Sequence, residues 1–595
     1  MLSKQIDSIA LLVSTTGPSS DSHGPSYDTV QPPSYRLFWI LLVLGLFLLF
    51  YQIGAAGLFE PDEGRNAEKA REILLLGDWV TPHENFFPVL DKPMFFYWLI
   101  AISYKVFGIT EWAARLPSAL AALGCFALVY RFARTRWGPW EALWSGLILI
   151  SAIEFFILSR VVIFDMSLTF CLTLALCSFY EAAHTEGEIR RKMYCLLMYT
   201  ALGAGTLIKG LIGLVIPGLI IFFYLLLTQQ WPILRRIYLI PGALLYFAIV
   251  TPWYLMVDAR NTGFLRYYLW DEHFGRFSTT DFDRAQPWYF FFGVLFVGFL
   301  PWSTLLPMVV KRHWKGSMDD KTIFVVLWTL LPMVFFSVSS SKLPHYILPI
   351  FPALSILTAT TLVGLFHNRE YNIKRALALL WGVQSLNVLY LIAGLMWPAI
   401  LPSQIREHVS PIAWYLFAYG IFCSVIAVVL AMTRTNDVWK DQSKVYIIHS
   451  VGIVVFLTFM AQMMVAVSRD RSASEIVETV ASRIDADAQV VFFDTYLTGM
   501  PFYLRVDRPV WIVTHANKKK TVLGNFYVVT DRAWPDTRWG KALFNFNEFR
   551  DVWNKNETQL LIIVKQKNLA RMEKEIGASP RKLTSVDEYV LLSNR

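Results

Sequence analysis

The chain is poor in charge. Only 17% of its 595 residues are Asp, Glu, Lys or Arg, against about 25% in soluble domains. Together with 55% hydrophobic and 15% aromatic residues and a mean hydropathy of +0.44, this excludes a soluble globular protein and a disordered chain. Cysteine is scarce too, limited to Cys125, Cys171, Cys177, Cys195 and Cys423. All five lie in or beside apolar segments. None has the C-x-x-C spacing of a metal or redox site, so the pattern is not that of a disulfide-stapled secreted domain. An internal repeat is missing as well. Transporters built from two matching halves show such repeats, with ionisable groups near the bilayer midplane, whereas here the charged clusters gather at one face.

What the sequence does contain is long uncharged runs. Leu37 to Phe59 carry no charge, and about 20 residues at about 1.5 Å each cross a bilayer. The run is too long and too far from the N-terminus for a cleaved signal peptide. It reads as an uncleaved first helix. Further spans are predicted at 115–134, 140–158, 163–182, 194–208, 211–228, 237–257, 287–310, 322–340, 344–366, 376–397, 411–432 and 445–467, about thirteen in all. The segment 94–108 is uncharged only from Met94 to Tyr104, which suits a helix lying at the interface. The expectation is a polytopic α-helical membrane protein in three parts. Residues 1–35, rich in Ser, Gly and Pro, form a disordered tail. Residues 36–468 form the membrane body, and 469–595 a soluble α/β domain. In that domain SASEIVETVASRID and NLARMEKEI read as helices, and AQVVFFD, LLIIVK and EYVLLS as strands.

The net charge of +9 reads as membrane topology rather than nucleic-acid binding, because the basic residues fall in short loops between apolar runs. If 94–108 does not cross, alternate loops hold Arg131, Arg134 and Arg136, then Arg190, Arg191 and Lys192, then Arg235 and Arg236, with the same bias further on. The short opposite loops hold only Arg160, Lys209, Lys342 and Arg406. This places the N-terminal tail in the cytoplasm and the C-terminal domain on the far side of the cytoplasmic membrane.

Two long loops then face outward, 58–114 and 258–286. Loops of this length are usually functional or disordered. In the first, Pro61 suits the first position of a helix, with Asp62 and Glu63 in its first turn. Asp62, Arg65 and Lys69 recur at helical spacing. A plainer reading is that the two carboxylates only complement the helix dipole. The second loop carries Glu272, His273 and Arg276 close together, and Asp281-Phe282-Asp283 resembles the acidic pair of soluble sugar transferases. Lys342, His345 and Tyr346 sit at a third outward boundary, where Lys342 could simply snorkel. Asp165 opens a span at the same face, and Glu154 lies in a span near it with no assigned role.

An ordered set of motifs makes the pattern specific. These are PDEGRNAE at 61–68, GDWVTPH at 77–83, DKPMFFYW at 91–98, RLPSAL at 115–120, IKG at 208–210, TPWY at 251–254, DEHFGRF at 271–277 and SKLPHYILP at 341–349. The set resembles the bacterial membrane glycosyltransferases of the GT-C fold, in the branch holding protein mannosyltransferases and lipid A aminoarabinose transferase. The resemblance covers about the first 350 residues. One departure stands out: the glutamate usual before Lys-Pro is Asp91 here.

The resemblance implies transfer of a sugar from a polyprenyl-phosphate carrier, such as undecaprenyl phosphate, to an envelope acceptor on the non-cytoplasmic side. The acceptor would be lipid A, another glycan or lipid, or a protein. The expected chemistry is a single inverting displacement. Asp62 is the expected general base for a hydroxyl acceptor, or the group that orients an acceptor already anionic. Cations should stabilise the leaving phosphate: Lys92 and Arg276 first, Lys342 and Tyr346 second. Asp165 and Glu63 would align sugar or acceptor. Asp91 and His273 are the candidate ligands of a divalent ion, although two ligands do not complete a site.

Overall fold

Helices account for most of the described residues. The computed structural model describes residues 32–270, 286–315, 318–367, 413–432, 441–480, 488–514, 541–555 and 558–594, with scattered positions between 380 and 393 and at 522. Among them six helices are long and apolar enough to cross a membrane, seven if one bent pair counts as a single span. The six are Glu111–Arg136, Phe164–His184, Leu239–Arg260, Asp320–Val338, Pro344–Phe366 and Gln442–Arg471. Several start at caps visible in sequence. Thr110 accepts from the amide of Ala113, Asp319 from Thr322, and Asp441 from Ser443 and Lys444. Shorter apolar helices include Tyr35–Phe50, Phe95–Phe107 and Ile212–Thr228. Phe95–Phe107 spans 13 residues and falls within the segment 94–108.

Two expected spans are not single helices. The segment read as 287–310 bends by 113° between Phe290–Gly298 and Trp302–Trp314. Pro301 falls at the bend, where a ring nitrogen cannot supply the ladder's hydrogen bond. The segment read as 140–158 breaks at Ala152, between the helices Pro139–Ser151 and Ile153–Leu158. There the amide of Ile153 leaves the ladder and donates to the carbonyl of Leu300. The first helix is also shorter than its uncharged run and ends at Phe50. All five cysteines are buried and unbridged.

The long loop 58–114 is folded. It holds a helix, Asp62–Leu76, and a two-stranded hairpin of β1 (His83–Glu84) and β2 (Phe87–Pro88). Eleven of the helix's 15 residues are buried even though its mean composition is polar. Burial of that kind requires each charge to find a partner.

Among the described residues the C-terminal region carries a six-stranded sheet in the order β5-β4-β3-β6-β8-β7. Its strands are β3 (Gln489–Phe493), β4 (Trp511–Val513), β5 (Leu543–Phe544), β6 (Leu560–Lys565), β7 (Arg581–Val586) and β8 (Tyr589–Ser593). The four strands β5, β4, β3 and β6 run parallel, and β8 and β7 add antiparallel strands at one edge. Every residue of β3 is buried. Alternation sends Val491 and Phe493 into one apolar cluster and Val490 and Phe492 into another, so the sheet is covered on both faces.

Candidate active site

The Asp62–Leu76 helix presents Asp62 at its first turn, 61% exposed by side chain. Behind it the charges go under. Arg65 donates to Asp62 at 3.1 Å through Nη1 and to Glu84 at 3.3 Å through Nε. One turn on, Lys69 is 1% exposed, with Nζ 3.1 Å from Asp91 and 3.3 Å from Glu84. The hairpin brings Glu84 to this face, and the following loop brings Asp91. Burial alone would raise the Asp91 carboxyl. Lys69, Lys92 and Arg65 outweigh that and hold it well below the usual carboxylate range. Burial acts against the charge of Lys69 and Arg65, and the carboxylates of Asp91 and Glu84, with Asp62 for Arg65, outweigh it and raise both cations.

Glu63 faces the other way and is saturated. Its carboxylate accepts from Nε and Nη2 of Arg115 at 3.0 and 2.8 Å, from the Val162 amide at 2.7 Å and from the Phe59 amide at 3.0 Å. Arg115 spends its remaining donors on the carbonyls of Ile53, Ala56 and Gly57. All of these acceptor positions go to donors within the protein. Asn66 adds a bond to the Val162 carbonyl at 2.8 Å. Glu63 and Asn66 thereby stitch the Asp62 helix to the turn before Asp165.

Asp165 sits in the first turn of Phe164–His184 and is buried. Lys209, the last residue of its helix, approaches it at 2.5 Å, and His345 Nε2 at 3.6 Å. Gly210 follows Lys209 at φ 79°, the left-handed turn that sends the chain back into the next helix. Lys209 also lies 4.6 Å from the Tyr346 ring centroid, so Asp165, Lys209, His345 and Tyr346 form one group. Glu154 is buried nearby, and neither of its carboxylate oxygens has a hydrogen-bond partner among the described residues.

Lys342 is buried and donates to the carbonyls of Ser339 at 2.6 Å and Gln286 at 2.9 Å. It lines a groove of about 690 Å³ whose walls are Trp288, Phe292, Leu330, Met333 and Val334. Burial pulls its ammonium below the ordinary lysine value. Lys92 donates to the carbonyl of Asp91 at 2.8 Å.

His273 and Arg276 lie outside the described residues, as do Glu272 and the Asp281-Phe282-Asp283 tripeptide. Of the candidate metal ligands, Asp91 is therefore the described one, and its Oδ1 accepts from Lys69. Among the described residues no three His, Cys, Asp or Glu side chains group as metal ligands.

Sequence reasoning did not single out Glu84 and Arg115 as partners. Each lies far from its partner in the chain, and only the hairpin and the packing of Glu111–Arg136 bring them in. The GDWVTPH motif has a structural use as well. Trp253 donates to the Val80 carbonyl, Asn261 to Thr81 and Arg260 to Asp78, which binds the loop 58–114 to the end of the TPWY helix.

Comparison with known proteins follows the same lines. Residues 91–255 match the family model of dolichyl-phosphate-mannose-protein mannosyltransferases. The crystal structure of ArnT from Cupriavidus metallidurans bound to undecaprenyl phosphate superposes with a TM-score of 0.78 at 23% identity, covering 95% of this chain and 99% of that one. The apo oligosaccharyltransferase of Archaeoglobus fulgidus does so with a TM-score of 0.50 at 11% identity, over 91% and 71%. The chain therefore has the GT-C fold and is a multi-pass membrane protein. In sequence, the undecaprenyl phosphate-α-4-amino-4-deoxy-L-arabinose arabinosyl transferase 2 of Pseudomonas fluorescens (strain Pf-5) is 32% identical over 433 residues, 70% of this chain and 73% of that protein. The chain belongs to this arabinosyl transferase family. A relative from Pseudomonas aeruginosa (strain UCBPP-PA14) is 35% identical over 336 residues, 56% of this chain and 60% of that protein. The match thus spans about 60% of that relative's length.

Proposed function

We propose that the protein transfers an aminopentose from an undecaprenyl-phosphate carrier to an envelope lipid, with lipid A as the acceptor. In this reading about thirteen spans cross the cytoplasmic membrane, the tail 1–35 is cytoplasmic, and the domain 469–595 lies on the periplasmic side beside the site. The observation that carries it is the placement of Asp62. An exposed carboxylate stands at a helix start on a rigid, charge-neutralised base, and that base is stitched to the group around Asp165.

Asp62 takes the acceptor's proton as the acceptor oxygen attacks the anomeric carbon, or orients a phosphate acceptor that needs no deprotonation. The carbon–oxygen bond to the carrier breaks, configuration inverts, and the carrier leaves as a phosphate anion. Lys92, Arg276, Lys342 and Tyr346 receive that growing charge. Asp165, held by Lys209 and His345, orients the sugar. The fold suits such a donor, since the lipid tail stays in the bilayer while phosphate and sugar reach its edge.

The match of 91–255 to protein mannosyltransferases favours a second reading with the same donor and a protein hydroxyl as acceptor. One experiment separates them: mass spectrometry of envelope lipids and proteins from a deletion strain. Loss of an aminopentose from lipid A is the expected result, whereas loss from a protein selects the second reading. A lipid profile and a protein profile both unchanged would overturn both. In purified form the protein should release undecaprenyl phosphate during turnover, which a transporter would not.

A further inference from the structure

The segment just before Asp62 is gripped by the C-terminal region. Both oxygens of Glu60 are spent there. Oε2 accepts from the Thr498 amide at 2.9 Å and lies 2.8 Å from its hydroxyl, and Oε1 accepts from the Gly499 amide at 2.7 Å. The Thr498 hydroxyl also lies 2.6 Å from the Pro61 carbonyl. The Glu60 amide donates to the Arg471 carbonyl at 2.7 Å, and the Leu58 amide to the Tyr503 hydroxyl at 2.8 Å. The surfaces touch without spare room. A Cβ on Gly64 would lie 2.5 Å from the Gly499 nitrogen, and one on Gly499 would lie 2.7 Å from Glu60 Oε1.

The grip extends along the first outward loop. Asn85 and Val510 exchange two bonds, Nδ2 to the carbonyl at 2.9 Å and amide to Oδ1 at 2.7 Å. Arg71 donates to the Val506 carbonyl and Arg505 to the Ile109 carbonyl, each at 2.6 Å.

The sheet explains why the grip forms at this point. Strand order β5-β4-β3-β6 places β4 on one side of β3 and β6 on the other. In open parallel sheets the crevice beyond the strand ends at such a switch point is the usual ligand seat. Thr498 and Gly499 lie in the loop that leaves β3 at that end. Here their donors hold a carboxylate of the same chain.

We propose that Glu60 is a positioning residue, and that its clasp on Thr498 and Gly499 lets the C-terminal domain fix the placement of Asp62 for transfer. This rests on the reading of Asp62 as the group that activates or orients the acceptor. One residue separates Glu60 from Asp62, and that residue, Pro61, has a fixed φ. A shift of the clasp therefore passes directly to the first turn of the helix. Burial pushes the Glu60 carboxyl up to about 7 in spite of the bonds from Thr498 and Gly499. A group held at that cost is more than filler.

The test uses the full-length protein in lipid nanodiscs. The donor is undecaprenyl phosphate-linked 4-amino-4-deoxyarabinose and the acceptor is lipid A. Glu60→Gln should lower kcat by about 30-fold or more, as small misplacements of reacting groups do, with donor KM and undecaprenyl phosphate affinity within about twofold of wild type. Amide exchange at 58–66 should quicken while β3 and β6 stay protected. Thr498→Val keeps the backbone donor and loses the hydroxyl, so kcat should fall about threefold, and Thr498→Ser should restore it. That pair decides the matter if Glu60→Gln does not fold. Turnover of Glu60→Gln within twofold of wild type, a loss expressed mainly in KM, or unchanged exchange at 58–66 overturns the proposal. Asp62→Asn is measured in parallel. Normal turnover in that variant would overturn the role of Asp62, and the exchange at 58–66 would then report the clasp by itself.

Discussion

Around Lys69, opposite charges stand within ion-pair distance at Asp91 and Glu84, and Arg65 and Asp62 continue the chain outward. Around Lys342 the hydrogen-bond partners given by the described residues are the carbonyls of Ser339 and Gln286. Both lysines are buried, at 1% and 6% exposure. The first is raised above its ordinary pKa and the second lowered. A buried cation with matched carboxylates is finished and serves as frame. A buried cation with carbonyl partners, at the edge of an apolar groove, is suited to an anion that arrives on an apolar tail. Asp62 stands at the boundary, anchored by the first region and open to solvent.

The comparison breaks most clearly at Asp62. Asp62→Asn should cut turnover by about 10²–10⁴-fold with unchanged thermal melting in detergent. A matching loss of melting temperature would put Asp62 with the frame. Lys69→Met should do the opposite. It takes the shared ammonium from Asp91 and Glu84 at a cost of about 3–5 kcal/mol, visible as a lower melting temperature and poor yield whatever the substrate.

Glu60 sharpens the contrast through pH. Its carboxyl is raised to about 7 in the fold from an ordinary value of 4.5. The folded state therefore holds the proton more tightly than the unfolded chain. The associated stability is full below pH about 4.5 and lost as pH rises through about 7, at most about 3 kcal/mol in all. Glu60→Gln should flatten the melting curve against pH across that window. An unchanged slope would mean that Glu60 does not titrate there.

Lys342→Ala should leave melting unchanged and weaken undecaprenyl phosphate binding by about 10–100-fold, the worth of one charge-assisted hydrogen bond, as read by titration with the carrier in nanodiscs. The smallest effect belongs to the half-exposed pair of Arg260 and Asp78. Arg260→Ala should cost less than about 1 kcal/mol in chemical denaturation and spare turnover.

Local pattern made several elements legible. Pro61 followed by two carboxylates announced the helix that begins at Asp62. The runs QVVFF, LLIIVK and YVLLS became β3, β6 and β8, and LARMEKEI became a helix. Apolar length also marked Phe164–His184 and Gln442–Arg471. The bend at Pro301 was hidden because the apolar run continues through it, and composition does not register a lost ladder bond. The partners of Lys69 were hidden for another reason. Glu84 and Asp91 lie 15 and 22 residues on and meet it only through the hairpin. The clasp joins residues 438 positions apart, a distance across which no local pattern carries information.

The buried thiols have a practical consequence. With every natural cysteine packed away from solvent, a membrane-impermeant maleimide finds a silent background on the intact protein. A single cysteine placed between 398 and 410 would then report, by which compartment's reagent tags it, the orientation of the whole helical body, with no need to strip the native sulfhydryls first.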